Sequence, residues 1–244
     1  MNETIKLLLN HMSIRKFKDK EIDNEIVDLI IKCGQMAPTS SHFQAYSIIE
    51  VKDKNKREFL YTISGRQRWI NEAPLLLLFC ADLNRGNKYF ENINHDILSN
   101  TESYTVGVID TALVVQKAFI AAQSLGLGGV IVGGIRNDVE GLSKEFNLPN
   151  LVAPLCLLCL GYPDDNPGIK PRLPKEEIHK IDFYDDSKQD IYIDNYNETV
   201  RNYYIKRSDG EVQDTWTQRC GQYLMAKPRY NVGEFFRKIS FLKK

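Results

Sequence analysis

Hydrophobic and polar positions along this chain switch between a helical and a strand period, and the switching predicts helices interleaved with short strands. Ile5 to Leu9 is a short helical pattern. After Asp23, a candidate N-cap, Ile26, Leu29, Ile30 and Cys33 recur at helical spacing until Gly34 to Pro38 stops them. Tyr46 to Val51 alternates as a strand does and Lys54 to Ile63 is helical; Ser64-Gly65-Arg66-Gln67 closes that helix before a short one containing Trp69 and Ile70. Two runs, Ala73 to Ala81 and Leu151 to Tyr162, are apolar at nearly consecutive positions, the pattern of strands covered on both faces. Between them, Val106 to Leu125 carries only Asp110 and Lys117 as charges and is apolar around its whole circumference, so it must be surrounded. One side of it is read as a dimer interface, with the central core helix of a monomer as the alternative.

A β-branched strand lies between the glycine pairs Gly128-Gly129 and Gly133-Gly134, and Asn137-Asp138 caps a helix through Val139, Leu142 and Phe146. Beyond Pro163 the character changes. Pro163, Pro167, Pro171 and Pro174 stiffen an extended segment that carries Lys170 and Arg172 on the same side. Residues 182–198 read as an exposed acidic loop leading into a helix near Asn195. The mildly basic tail from Tyr223, with Arg237, Lys238, Lys243 and Lys244, reads as a solvated helix.

Composition narrows the class. At 244 residues, 43% hydrophobic and 26% charged, the chain has the make-up of a globular protein, read as one domain over 1–244 with an extension from about 175. Lys+Arg equals Asp+Glu at 32 each, which argues against nucleic acid as a partner. The apolar runs are read as too short for a membrane span, and the N-terminus lacks a signal-peptide pattern, so the expectation is a cytoplasmic protein. Five cysteines are scattered through apolar segments; Cys156-x-x-Cys159 is read as two small hydrophobes in a buried strand. The histidines, at 11, 42, 95 and 179, lack metal-ligand spacing, and no metal is expected.

Against this neutral background, His11-Met12-Ser13-Ile14-Arg15 and Lys170-Pro171-Arg172 stand out as local donor sets for a phosphomonoester, with two arginines able to bind it bidentately. No nucleophile elbow, zinc motif or Walker loop accompanies them, and the glycines miss the G-x-G-x-x-G spacing. A phosphate cradle without acid–base machinery suggests that a cofactor performs the chemistry; flavin, nicotinamide and pyridoxal phosphate all remain open on these grounds. By themselves the hydroxyls of Thr39-Ser40-Ser41 and the glycines after residue 132 read most simply as turn formers.

Several blocks in register resemble the nitroreductase superfamily, and within it the NADPH-dependent oxygen-insensitive nitroreductase and flavin reductase branch. They are His11-x-Ser13-Ile14-Arg15-x-Phe17, Ser40-Ser41-x-x-Gln44, Gly65-x-Gln67, Asp82-x-Asn84-Arg85, Ser124 to Val130 with Gly133-Gly134, and Asn166-Pro167-x-x-Lys170-Pro171-Arg172. The resemblance implies an α+β fold with a mixed, mainly antiparallel sheet flanked by helices. It further implies an intertwined homodimer whose C-terminal excursion packs on the partner. It implies FMN as cofactor, NADPH or NADH as donor, and ping-pong two-electron reduction of small planar acceptors such as nitroaromatics, quinones or free flavins, with flavin N5 and no side chain transferring hydride. Position by position, His11, Ser13, Ile14, Arg15, Lys170 and Arg172 would hold FMN, the cations chiefly at its phosphate. Ser40, Ser41, Gln44 and Gln67 would contact its ring or ribityl chain, and Ile131, Val132, Gly133 and Gly134 would lie by the ring. Arg207 would meet NAD(P)H.

Two positions depart from the family pattern. Met12 replaces a usually basic residue, and Gly210-Glu211-Val212-Gln213 lacks the arginines expected downstream of Arg207. Weakened discrimination between NADPH and NADH is the expectation. A non-catalytic flavin-binding protein or a phosphate-ligand sensor is the alternative to the enzyme.

Overall fold

The computed structural model describes residues 1–93 and 95–243, so Lys244 of the basic tail lies outside the described residues. Its strands are β1 (Tyr46–Glu50), β2 (Leu75–Asp82), β3 (Gly128–Val132) and β4 (Val152–Gly161). The helices are α1 (Glu3–Leu9), α2 (Asn24–Gln35), α3 (Lys54–Ile63), α4 (Trp69–Glu72), α5 (Asn84–Tyr89), α6 (His95–Leu98), α7 (Thr101–Ser124), α8 (Val139–Glu145), α9 (Lys175–Ile178), α10 (Gln189–Arg207), α11 (Trp216–Ala226) and α12 (Asn231–Lys238). The chain forms two compact units, residues 1–167 with 229–244, and residues 168–228.

In the first unit the strands run in the order β1-β2-β4-β3, and every pairing among the described residues is antiparallel, with none of the parallel pairs a mixed sheet would contain. Both apolar runs of the sequence are its central strands, and all of β2 is buried. Alternation along β2 explains why. Leu75, Leu77 and Phe79 pack with Ile30 of α2 and Val114, Ala118 and Phe119 of α7, whereas Leu76, Leu78 and Cys80 pack on the opposite face with Leu60, Ile70 and Leu142 of α3, α4 and α8. Each such leucine removed from water contributes roughly 1.5–3 kcal/mol. Cys156 and Cys159 fall on opposite faces of the sheet, which rules out a bond between them. Burial pushes their thiols up to about 11 and about 12.

Helix boundaries follow local chemistry. Asn2, Asp53, Asn100 and Asp138 each accept a backbone N–H at the start of α1, α3, α7 and α8. Asp23 takes the N-cap position of α2, but its side chain accepts no cap hydrogen bond.

Two expectations are corrected here. The tail is not simply solvated: Phe235 and Phe236 of α12, with Ile239 and Phe241, are buried against Ala81, Leu83, Leu151 and Ala153 at one end of the sheet. Their spacing lets one side of a charged helix face the core while Arg237 and Lys238 stay outside. And a segment long enough to cross a membrane does exist: α7 has 24 residues and a mean hydropathy of 1.5 in its most apolar window. It packs against α2 and β2, and its Asp110 is fully buried and hydrogen-bonded within the protein, the arrangement of a core helix.

The second unit is helical. The helix expected near Asn195 begins earlier, at Gln189, and runs to Arg207. A capping box of Thr215 and Gln218 starts α11, and Tyr196 and Trp216 meet edge to face at 5.8 Å.

Candidate functional site

The segment containing His11 to Phe17 is fastened along the ends of β3 and β4. Ile14 N–H donates to the Gly129 carbonyl (2.9 Å), Lys18 N–H to Tyr162 O (2.9 Å) and Asp164 N–H to Lys16 O (3.0 Å), with a bridge between Phe17 and Pro163. Ile14 is buried, so its neighbours Ser13 and Arg15 point away from the core that it anchors. The first glycine pair makes the close approach possible. A Cβ on Gly128 would lie 2.5 Å from the Ile14 side chain, and one on Gly129 would lie 2.3 Å from the Cys159 carbonyl oxygen. His11 rests edge-on against Phe119 at 5.4 Å, with Nδ1 3.3 Å from the Gln123 amide nitrogen.

Arg15 opens onto a cleft of about 630 Å³ lined also by Gly65, Arg66, Gln67, Arg68, Trp69, Glu72, Asp164 and Asp165. The floor is the turn after α3, where Gly65 and Arg66 have φ of 80° and 56°; the Gln67 side chain folds back to donate to the Ser64 carbonyl at 2.7 Å. A Cβ on Gly134 would sit 2.8 Å from that Gln67 amide nitrogen, so the second glycine pair is packed against a predicted site residue. Val132 is buried while Ile131 is partly exposed beside a second, apolar cavity of about 540 Å³ that includes Tyr104, Val115, Leu155 and Phe236. The Arg15 guanidinium lies 5.3 Å above the Trp69 ring and has no carboxylate partner among the described residues; its one hydrogen bond, 3.5 Å to Ser13 O, is long.

Three buried polar atoms of this region lack hydrogen-bond partners: Ser64 Oγ, Trp69 Nε1 and Asp165 Oδ1. Trp69 and Asp165 line the cleft, and Ser64 adjoins its Gly65. Such groups are rare in folded proteins and mark places where a ligand or water completes the pairing. A free guanidinium, a carboxamide and unsatisfied donors suit a phosphorylated, polar-edged ring such as FMN, although Glu72, Asp164 and Asp165 leave part of the rim anionic.

The loop carrying Ser40, Ser41 and Gln44 is a separate construction. Ser41, His42 and Gln44 adopt φ of 48°, 59° and 53°, a left-handed backbone that costs about 1–2 kcal/mol at each non-glycine residue. The loop is held from both sides. Asp110 of α7, fully buried, accepts from Ser40 N–H (3.0 Å) and Ala45 N–H (3.1 Å). Arg85 donates to the Gln44 carbonyl (3.2 Å) and to Ser47 Oγ (3.2 Å), and Asp82 supports it at 3.5 Å. A reading of the residue pattern gave no role to Asp110, Arg85 or Trp69. The available signal for Asp110 was its position as one of two charges on an otherwise apolar helix.

Lys170 and Arg172 begin the second unit. Arg172 donates to the Lys170 carbonyl (2.5 Å), Lys170 lies 5.4 Å over the Tyr204 ring, and neither has a carboxylate within ion-pair distance among the described residues. Arg207 donates to the Tyr203 hydroxyl at 2.8 Å, and Arg219 stacks on Tyr204 at 4.3 Å while pairing with Asp214 at 2.9 Å. The structure thus brings Arg15 and Gln67 to one cleft, sets Gly134 against Gln67, and groups Ser40, Ser41 and Gln44 on one loop. Lys170, Arg172 and Arg207 share the second unit.

An antiparallel sheet between helical layers, with an arginine free of carboxylate partners and orphaned polar atoms around one cleft, fits a cofactor-binding α+β protein. The chain belongs to the nitroreductase family: that family's model matches residues 8–162, and the model of the nitroreductase family C-terminal domain matches residues 170–244. It is 36% identical to the FMN reductase (NADPH) of Bacillus subtilis over the whole of both chains. It is also 37% identical to the oxygen-insensitive NADPH nitroreductase of Salmonella typhimurium, covering 98% of each. The solved structure of the NfrA1 nitroreductase from B. subtilis superposes with a TM-score of 0.96 at 36% identity, over 99% of this chain and 100% of that one.

Proposed function

We propose that this protein is an FMN-dependent NAD(P)H oxidoreductase that reduces small planar acceptors, nitroaromatics, quinones or free flavins, by two electrons in ping-pong order. The Arg15 cleft carries the reading, since it offers a guanidinium without a carboxylate partner beside the buried donors Ser64 Oγ and Trp69 Nε1, which have no hydrogen-bond partner among the described residues. His11, Ser13, Ile14, Arg15, Lys170 and Arg172 hold FMN, the cations chiefly at its phosphate. Among the described residues their cations are engaged by carbonyls and ring faces, weak contacts that a phosphate displaces. Ser40, Ser41, Gln44 and Gln67 hydrogen-bond the polar edge and ribityl chain, and Ile131 to Gly134 flank the ring. When bound, FMN supplies the hydride acceptor and donor, which is why no side chain is assigned as acid or base. The residues here bind, orient and keep a flat face open, so shape more than specific chemistry selects the acceptor.

The partly exposed Ile109 and Leu113 of α7 and the exposed Ile181, Phe183, Leu224 and Met225 of the second unit are apolar surface of a kind that a second copy of the chain would cover. A homodimer is therefore part of the reading, in a protein read as cytoplasmic, with the excursion that begins near residue 175 meeting the partner, although Phe235, Phe236 and Phe241 pack on the sheet end of their own chain. Arg207 meets the nicotinamide donor. Glu211 and Val212 follow where further arginines are expected, so discrimination between NADPH and NADH is weak, and a strong NADPH preference in kcat/KM would count against that assignment. The deciding experiment is an absorption spectrum of the purified protein. A yellow preparation bleached by NADPH and recoloured by a quinone supports the enzyme; FMN that stays oxidised in NADPH supports a non-catalytic flavin binder, and a colourless protein that takes up no FMN supports a sensor of another phosphate ligand.

A further inference from the structure

We infer that Asp110 is a positioning residue for the cofactor, acting through the backbone of the loop that presents Ser40, Ser41 and Gln44; the inference rests on the assignment of that loop to FMN. The carboxyl group is fully buried in the middle of α7, and its two oxygens accept the N–H groups of Ser40 and Ala45, one at each end of the loop. The residues between those anchors include Ser41, His42 and Gln44, all left-handed. Such backbone persists only where its surroundings over-determine it, and it concentrates at ligand sites.

The helix is shaped for this contact. Gly107, one turn before Asp110, lets α7 approach β2, since a Cβ there would lie 3.1 Å from that of Ala81, and it keeps the Ala45 carbonyl within ordinary contact of the helix. Thr111 donates its hydroxyl back to the Gly107 carbonyl at 2.6 Å, while the loop amides of Ser40 and Ala45 go to Asp110. Arg85 closes the opposite side through the Gln44 carbonyl. A carboxyl group gives two acceptors from one side chain and fixes the separation of two backbone donors; a carboxamide would set a donor against one of them. The buried Ala45 N–H needs an acceptor at this point of a largely apolar helix, and Asp110 serves the Ser40 N–H with the same group, so an apolar residue here would orphan the loop amides and not only repack the core.

The test is a double-mutant cycle on holoprotein, with FMN release followed by its fluorescence on serial dilution and the visible band of bound flavin recorded alongside. Asp110→Asn should weaken FMN by about tenfold, the size of an ordinary coupling between residues of one network, and should alter the flavin band. In a Ser41→Ala/Gln44→Ala background the same change should have almost no further effect on FMN. An equal loss in both backgrounds would mean that Asp110 merely supports the fold, and an unchanged dissociation constant would remove the role altogether. If Ser41→Ala/Gln44→Ala leaves affinity and spectrum untouched while Arg15→Ala releases FMN, the loop does not touch the cofactor; that failure is distinct from a failure of Asp110 to position it. Asp110→Glu, which keeps the carboxylate but displaces it, runs the same cycle if the asparagine variant does not fold. In the wild-type protein, the amides of Ser40 and Ala45 should exchange with deuterium more slowly than that of Ser41, and equal exchange would also overturn the inference.

Discussion

The two compact units are held together by different means. In the first, three apolar clusters surround a sheet whose central strand β2 is wholly buried, and the segment 229–243 returns to seal its end with Phe235, Phe236 and Phe241. In the second, Tyr196 and Val200 are the only buried apolar residues among those described. Order there comes from cations over tyrosine rings, the Thr215–Gln218 capping box and the hydrogen bond of the Tyr196 hydroxyl to the Pro171 carbonyl at 3.0 Å. The difference matters for the site. Residues assigned to the ring edge stand on a scaffold that close packing makes rigid, while Lys170 and Arg172 belong to an exposed segment whose partners are replaceable.

Substitutions in each unit should separate these modes. Phe241→Ala empties a fully buried position at the sheet end and should destabilise the protein by about 3–5 kcal/mol, read from denaturant unfolding. A much smaller loss would show that the returning segment is not part of the first unit's core. Arg15→Ala removes a charge-assisted contact to phosphate and should weaken FMN by about 1.5–3 kcal/mol, roughly ten- to a hundredfold, in a dilution titration. Unchanged affinity there would place the phosphate elsewhere. Tyr196→Phe deletes one hydrogen bond that holds Pro171 and should cost about 0.5–1.5 kcal/mol, with FMN affinity becoming more sensitive to salt as Lys170 and Arg172 loosen. No change in either quantity would mean that the 168–174 segment is ordered by something else.

The smallest effect at neutral pH is that of the buried thiols. Burial raises Cys156 from 9.0 to about 11 and Cys159 from 9.0 to about 12, so the folded chain keeps protons that the unfolded chain releases. Their contribution is fully present below pH 9 and is lost as pH rises from there towards 12. Cys159→Ala should make the stability of the protein fall less steeply across that window, and an identical slope would show that other groups dominate alkaline unfolding.

Much of the fold was legible because its signals are local. The apolar runs announce β2 and β4, Gly65 ends α3 with left-handed backbone, and Asp138 caps α8. Asp23 shows the limit of such signals, since a capping residue in the right place makes no capping bond. Tail residues were misjudged because Arg237 and Lys238 dominate the composition, whereas burial depends on which side of α12 meets the sheet end. In the candidate site, the blocks single out Arg15 and Gln67, which the structure brings to one cleft, and include Arg85 without a role; Asp110 acts through partners 70 and 65 residues away, Arg85 through Gln44 41 residues away, and Trp69 across the cleft.

By itself the sequence determined much of the order of helices and strands, though not the short helices α5, α6 and α9, together with the two buried strands and the donors available for an anion, because each is set by period, capping or residue type within a few positions. Only the tertiary structure decided which donors remain without partners, which face of α7 accepts the Ser40–Ala45 loop, and where the last aromatic residues go. Those outcomes depend on contacts between distant segments, whose energies no local pattern records.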